Sequence, residues 1–224
     1  MIVNKAVGLA IFGLLVPMAT LGCGAAPHDE DATTSEAALK SDGGPRLAHY
    51  SETYWRWTFG DKTLPTDAYG NAVEKNVVMM PIPPTSGDGT PGSADVTLGT
   101  GESFMLPLFG ALGTSYRDGT PPDPFEPKSI YTTLEISFTV DGKELVSSSN
   151  VLSYFSKFTF DPAIPYDDPV ILAIIWSEGI GVLHTPLCPG HHVLKLDVKN
   201  TEPQFGQLLE FHNTWNVTVN PGHA

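Results

Sequence analysis

The sequence predicts an all-β domain: a single antiparallel β-sandwich, jelly-roll-like or Ig-like, behind a short N-terminal helix. Two observations carry that expectation. Most of the chain alternates apolar and polar residues over short runs, the period-2 signature of half-buried strands, and 20 prolines and 22 glycines supply turns between them. Helical periodicity is almost absent. A closed barrel satisfies the same pattern and is the alternative. No stretch recurs at a fixed period, which excludes solenoids and propellers.

Taken in order, the chain divides into a signal peptide over residues 1–22, a cysteine and flexible tether over 23–47, and the sandwich over 48–224. Ala6 to Leu21 is almost continuously apolar behind the single charge of Lys5, as in a secretory signal, and is too short to cross a bilayer comfortably as a helix, which takes about 20 residues. Gly24 to Leu47 is small, acidic and without Phe, Trp or Tyr, so it cannot bury enough apolar surface to offset its ordering entropy. The run Asp29-Glu30-Asp31 reads as solvated charge.

The domain opens with a helix near His49–Gly60, where Ser51 can cap and Gly60 can end it. Tyr54, Trp57 and Phe59 cannot share one narrow stripe, so this helix packs on several sides. Strands are expected over Asn76–Met80, stopped by Pro81, and over Asp95–Leu98 and Ser103–Leu108, which flank the turn Gly99–Glu102. Ile130–Val140 is the clearest strand: Leu134, Ile136, Phe138 and Val140 alternate with Glu135, Ser137 and Thr139. Asp141-Gly142 is a favoured type I′ pair and returns the chain through Lys143–Val146. Val151–Phe160 follows as a strand, then a Pro-rich acidic loop over 161–169. Val170–Trp176 is apolar throughout, as for a strand covered on both faces. Alternation resumes at His192–Lys199, and the last strand, Gln207–Val219, points Leu209, Phe211, Trp215, Val217 and Val219 inward.

The chain carries a net charge of −13, which becomes −14 when Lys5 leaves with the signal. An acidic surface without a basic stripe excludes nucleic acid as a partner and disfavours peripheral attachment to anionic lipid.

Two resemblances extend this reading. Thr20-Leu21-Gly22-Cys23 resembles the lipobox of bacterial lipoproteins, in which the cysteine is acylated and becomes the new N-terminus. The resemblance implies a lipid on Cys23 and an envelope protein anchored to a membrane, at the outer membrane or periplasmic face in a Gram-negative host. With two cysteines in the sequence, Cys23 and Cys188, acylation predicts a domain held by core burial, without a disulfide. Three further pieces, Tyr54-Trp55-Arg56-Trp57, Gly101-Glu-Ser-Phe104-Met-Leu-Pro107 and Leu187-Cys188-Pro189-Gly190-His191-His192, resemble an uncharacterised family of secreted bacterial all-β proteins with a Trp-rich N-terminal helix and a Leu-x-Pro-Gly-x-His turn. That family pattern includes cysteines near the first and second strands, which this sequence lacks. The resemblance implies a secreted all-β domain and supplies no catalytic residues.

The candidate ligand-binding residues are Tyr54, Trp55 and Trp57, whose rings suit stacking on a carbohydrate or contact with a protein, although core packing is the commoner fate of such residues. The candidate metal ligands are His184, Cys188 and His192, with His212 nearby on the last strand; imidazole and thiolate suit zinc or copper. Asp118, Asp123 and Glu126, and again Asp161, Asp167 and Asp168, are oxygen ligands of the kind calcium takes. There is no Gly-x-Ser-x-Gly, no phosphate loop and no His-Glu-x-x-His, so no catalytic residue is assigned and no cofactor is expected. A binding or interaction module is the leading expectation. A structural envelope component and a metal-dependent enzyme follow.

Overall fold

The computed structural model describes residues 44–85, 87–200 and 209–221. The signal, Cys23 and most of the tether lie outside the described residues. The first element is helix α1, Pro45–Thr58, capped by Gly44. It begins earlier than the Ser51 start expected, because Pro45 has the φ a helix needs and no N–H to leave unsatisfied in its first turn. Leu47, Tyr50 and Tyr54 repeat at helical spacing and are buried.

The strands form two five-stranded sheets. The first holds β1 (Val73–Glu74), β2 (Val77–Met79), β4 (Ser103–Tyr116), β7 (Phe155–Pro165) and β8 (Ile171–His184), in the order β1-β2-β4-β8-β7. The second holds β3 (Asp88–Gly99), β5 (Leu134–Val140), β6 (Lys143–Ser147), β9 (Gly190–Asn200) and β10 (Glu210–Asn220), in the order β3-β10-β9-β5-β6. The all-β sandwich with a short helix is thus observed. Its sheets are not purely antiparallel, because β2 pairs with β4 and β3 with β10 in parallel. The turn Gly99–Glu102, closed by Gly99 N–H donating to Glu102 Oε2 (2.6 Å), carries the chain from one sheet to the other, so β3 and β4 do not form a hairpin.

Period-2 alternation explains the layers. Val78, Phe104, Leu106, Ile180 and Val182 face Leu134, Phe138, Leu196, Trp215 and Val217 of the second sheet in one core. Val77, Met79 and Met105 point the other way and meet Leu47, Tyr50 and Tyr54 of α1. Helix, sheet and sheet therefore stack as three layers. Arg56 fixes the helix to β7: its Nη2–H donates to Pro162 O (2.8 Å) and its guanidinium lies over the Phe160 ring.

Several boundaries differ from those expected. β4 and β8 continue well past Leu108 and Trp176, through glycines that a strand pattern reads as breaks. Gly113 is required there: a Cβ would sit 1.8 Å from the Trp176 ring opposite it. Ser129–Thr132 is a short helix, α2, and Val151–Tyr154 a 3₁₀ turn. In the latter, Asn150 Oδ1 accepts from Ser147 N–H (2.8 Å), a local bond that competes with strand pairing. Val170 and Leu172, expected under cover, are 58% and 48% exposed. The type I′ hairpin is as expected, with φ of 52° at Asp141 and 76° at Gly142. Cys188 is disulfide-bonded, which corrects the expectation of a domain without a disulfide. No helix among the described residues is long and apolar enough to cross a membrane.

Candidate functional site: an apolar cleft at the edge of β4

The site begins with a proline. Beyond β2 the chain reaches Pro81, which has no N–H with which to continue a ladder. Met80 N–H donates to Met105 O (3.0 Å), Tyr54 OH donates to Met80 O (2.9 Å), and Trp215 Nε1–H donates to Pro81 O (2.7 Å). Trp215 belongs to the second sheet, so these bonds hold the segment against that sheet, and the β2–β4 register ends at Met79 opposite Met105. From there the edge of β4 has no laddered strand among the described residues.

Nearer its end, β4 is closed again by the loop that follows it. Asp123 N–H donates to Thr114 O (3.0 Å), and the Asp123 carboxylate accepts from Thr114 N–H (2.9 Å), Thr114 OH (2.7 Å) and Tyr116 OH (2.8 Å). Its carbonyl accepts from Trp176 Nε1–H (2.8 Å). Burial alone would raise the Asp123 carboxyl, but the hydroxyl and N–H bonds from Thr114 and Tyr116 hold it below the usual range.

Between the two closures lies a cleft of about 420 Å³, lined by Trp55, Ile82, β4 from Pro107 to Leu112, and Leu209, Phe211 and Asn213 of the last strand and its approach. The size is that of a small-ligand site, and the walls are apolar with one polar exception, as such sites are. That exception is Asn213. It is 5% exposed, and its Oδ1 is buried without a hydrogen-bond partner among the described residues. An orphaned buried acceptor costs about 1–3 kcal/mol. Ile82, at the rim, is 44% exposed.

The three expected aromatic residues diverge. Tyr54 is a core residue, held edge-on by Trp55 and Trp57 with ring centroids 5.4 and 5.6 Å away. Burial pushes its hydroxyl far above the ordinary tyrosine range. Trp57 packs on the cluster beneath the helix. Trp55, half-buried and stacked on Phe59, is the one of the three that lines the cleft.

The candidate metal ligands are placed otherwise. His192 has both ring nitrogens turned to oxygens, Asp141 Oδ2 (2.6 Å) and Cys188 O (2.8 Å), so neither points to a shared site with His184 and Cys188. His184 Nδ1–H donates to Thr185 O (2.6 Å), and the ring stacks on Phe104. Burial lowers the His184 pKa, opposed by the Thr185 bond. Cys188 has its sulfur in a disulfide. His212 lies between Asp197 and Glu210, whose bonds raise its pKa. Asp118 and Asp168 each accept from backbone N–H groups two or three residues on, as turn caps do. No group of three His, Cys, Asp or Glu residues among the described residues is placed to hold a metal.

No family model and no curated protein matches the chain. Among solved structures it is similar to Plasmodium falciparum protein Pf12p, with 10% identity and a TM-score of 0.19, over 58% of this chain and 42% of that one. A likeness that slight carries no argument, so the site rests on its own chemistry.

One other group stands out. Glu178 on β8 is 1% exposed; its Oε1 accepts from Glu126 N–H (3.0 Å) and Tyr131 OH (3.4 Å), and its Oε2, 3.7 Å from Lys157 Nζ, has no hydrogen bond. Burial raises its carboxyl, with Lys157 opposing. The space beside it is about 20 Å³, enough for a water and not for a substrate.

Sequence reasoning found Trp55 and missed the rest of the cleft. Two signals were present. Pro107 inside a strand pattern marks an edge, and Asn213 is the polar residue that interrupts the inward series Leu209, Phe211, Trp215.

Proposed function

We propose that this chain is an exported envelope protein whose β domain is a binding module, holding an apolar ligand in the cleft between β4 and β10. One observation carries the reading: an open, uncharged cleft of about 420 Å³ along a stretch of β4 that has no laddered strand beside it among the described residues. Export is supported by the apolar segment behind Lys5, and a disulfide at Cys188 suits an oxidising compartment.

The lipobox resemblance offers a lipid on Cys23 as the anchor, and the disulfide at Cys188 weighs against it wherever Cys23 is the partner. Acylation consumes the thiol, so it and a disulfide to Cys188 exclude each other. Mass analysis of the N-terminal peptide from membrane and soluble fractions decides between them: a diacylglycerol thioether on Cys23 supports anchoring, and a Cys23–Cys188 crosslinked peptide ends it.

The binding reading is tested by titrating the purified domain with the neutral apolar fluorophore Nile red. Saturable binding at one site, weakened at least tenfold by Ile82→Asp, is expected. Ile82 is at the rim, so the variant should fold, and an unchanged melting temperature would establish that it does. Absence of saturable binding, or binding indifferent to Ile82→Asp, would remove the cleft as a site.

A further inference from the structure

Resting on the reading of the cleft as a binding site, we infer that its occupant is an extended apolar segment of another polypeptide, added to the open edge of β4 as a strand. The lining points to this. A wall made by the face of a sheet contributes alternate residues, yet β4 contributes six in succession, Pro107 to Leu112. Both parities line the cleft, so the wall is the edge of the strand, where main-chain N–H and C=O groups project. A ligand of matching chemistry carries such groups at the same spacing.

Three further features agree. The closures at Met105 and Thr114 leave eight residues between them, of which the six from Pro107 to Leu112 line the cleft, about 20 Å of extended chain, the length of a short peptide strand. Exposed edges are commonly protected by lysine, by inward charge or by a covering loop. None of the lining residues is charged, Gly110 is exposed, and Ala111 is too small to shield its backbone. Leu209, Phe211 and Ile82 on the opposite side give apolar contacts for side chains at alternate positions of the guest, which is how strand addition gains specificity. The net charge of −13 repels a second copy of this chain and favours a guest with basic flanks.

The test selects heptapeptides from a randomised displayed library on the wild-type domain and counter-selects on Ile82→Asp. The best peptide is then synthesised with its main chain N-methylated at alternate residues, once in each phase. Enrichment of apolar residues at every second position is expected, with affinity falling at least tenfold for methylation in one phase and staying within twofold in the other. Only a guest paired along one edge shows that asymmetry. Equal losses in the two phases, or no loss in either, would overturn strand addition. Failure to enrich any peptide while Nile red still binds would overturn the peptide and leave the binding reading standing; failure of both would end the reading itself. A concentration-dependent dimer that protects the Leu108–Leu112 amides would make a second copy the occupant and also overturn the inference.

Discussion

The two halves of the free edge of β4 invite comparison. Around Thr114 the edge is closed: Asp123 answers the Thr114 N–H, carbonyl and hydroxyl and the Tyr116 hydroxyl, and its own carbonyl takes the Trp176 indole. A few residues earlier, from Pro107 to Leu112, the same edge is open, faces apolar side chains and has an unmet acceptor nearby. Both stretches belong to one strand with the same partner, β8, on the other side. What differs is whether the polar groups find their match within the chain. A closed edge is a device of stability, and an open one beside an apolar cleft is a site.

The largest effect should come from breaking the closed half. Asp123→Ala removes the acceptor of three bonds and leaves their donors unmet, so urea unfolding should show a loss of about 3 kcal/mol. Its sign with pH is fixed: a carboxyl held low in the fold contributes stability above about pH 4, and this contribution is lost as the pH falls through the still lower folded value. Trp55→Ala sharpens the comparison from the other side. Nile red affinity should drop at least tenfold, about 1.4 kcal/mol, because Trp55 is the part of α1 that lines the cleft.

Asn213→Leu tests whether the buried acceptor beside the cleft is a cost to the fold. Replacing an orphaned acceptor with an apolar side chain of similar size should stabilise the domain by about 1 kcal/mol, seen as a higher melting temperature. A structural asparagine would lose stability instead. The smallest effect belongs to Glu178. Its raised carboxyl means the folded state binds its proton more tightly than the unfolded chain does, so stability falls as the pH rises from about 4.5 through the folded value. Glu178→Gln should flatten that slope in the difference between the two proteins, measured by urea unfolding at successive pH values.

Much of the fold was legible because alternation over β5, β9 and β10 is strong and Asp141-Gly142 fits one turn type. The parallel pairs were not, since nothing local distinguishes a turn that closes a hairpin from Gly99–Glu102, which changes sheets. The lengths of β4 and β8 were hidden by Gly110, Gly113, Gly179 and Gly181, residues that local propensity reads as breaks. At Gly113 the cause is tertiary, the Trp176 ring on the neighbouring strand. The start of α1 was hidden in a stretch whose composition resembles a linker, although Pro45 was a signal for it. The cleft was least legible of all. It is built from the absence of a partner beside β4 among the described residues, and Ile82, Leu112 and Phe211 come from three separate segments whose meeting no spacing encodes. The His184–Cys188–His192 run drew attention because its residue types are chemical, yet both His192 nitrogens and His184 Nδ1 face nearby oxygens and the Cys188 sulfur is in a disulfide.

The central claim is that the edge of β4 is open in the empty domain and filled when it binds. Amide hydrogen exchange, read residue by residue with and without the selected peptide, addresses it directly. The account predicts that amides facing the cleft within Leu108–Leu112 exchange rapidly in the free protein, while Thr114, bonded to Asp123, is protected, and that the peptide extends protection across the open stretch. Equal protection of both stretches without peptide, or protection on binding that appears elsewhere and leaves Leu108–Leu112 unchanged, would contradict it.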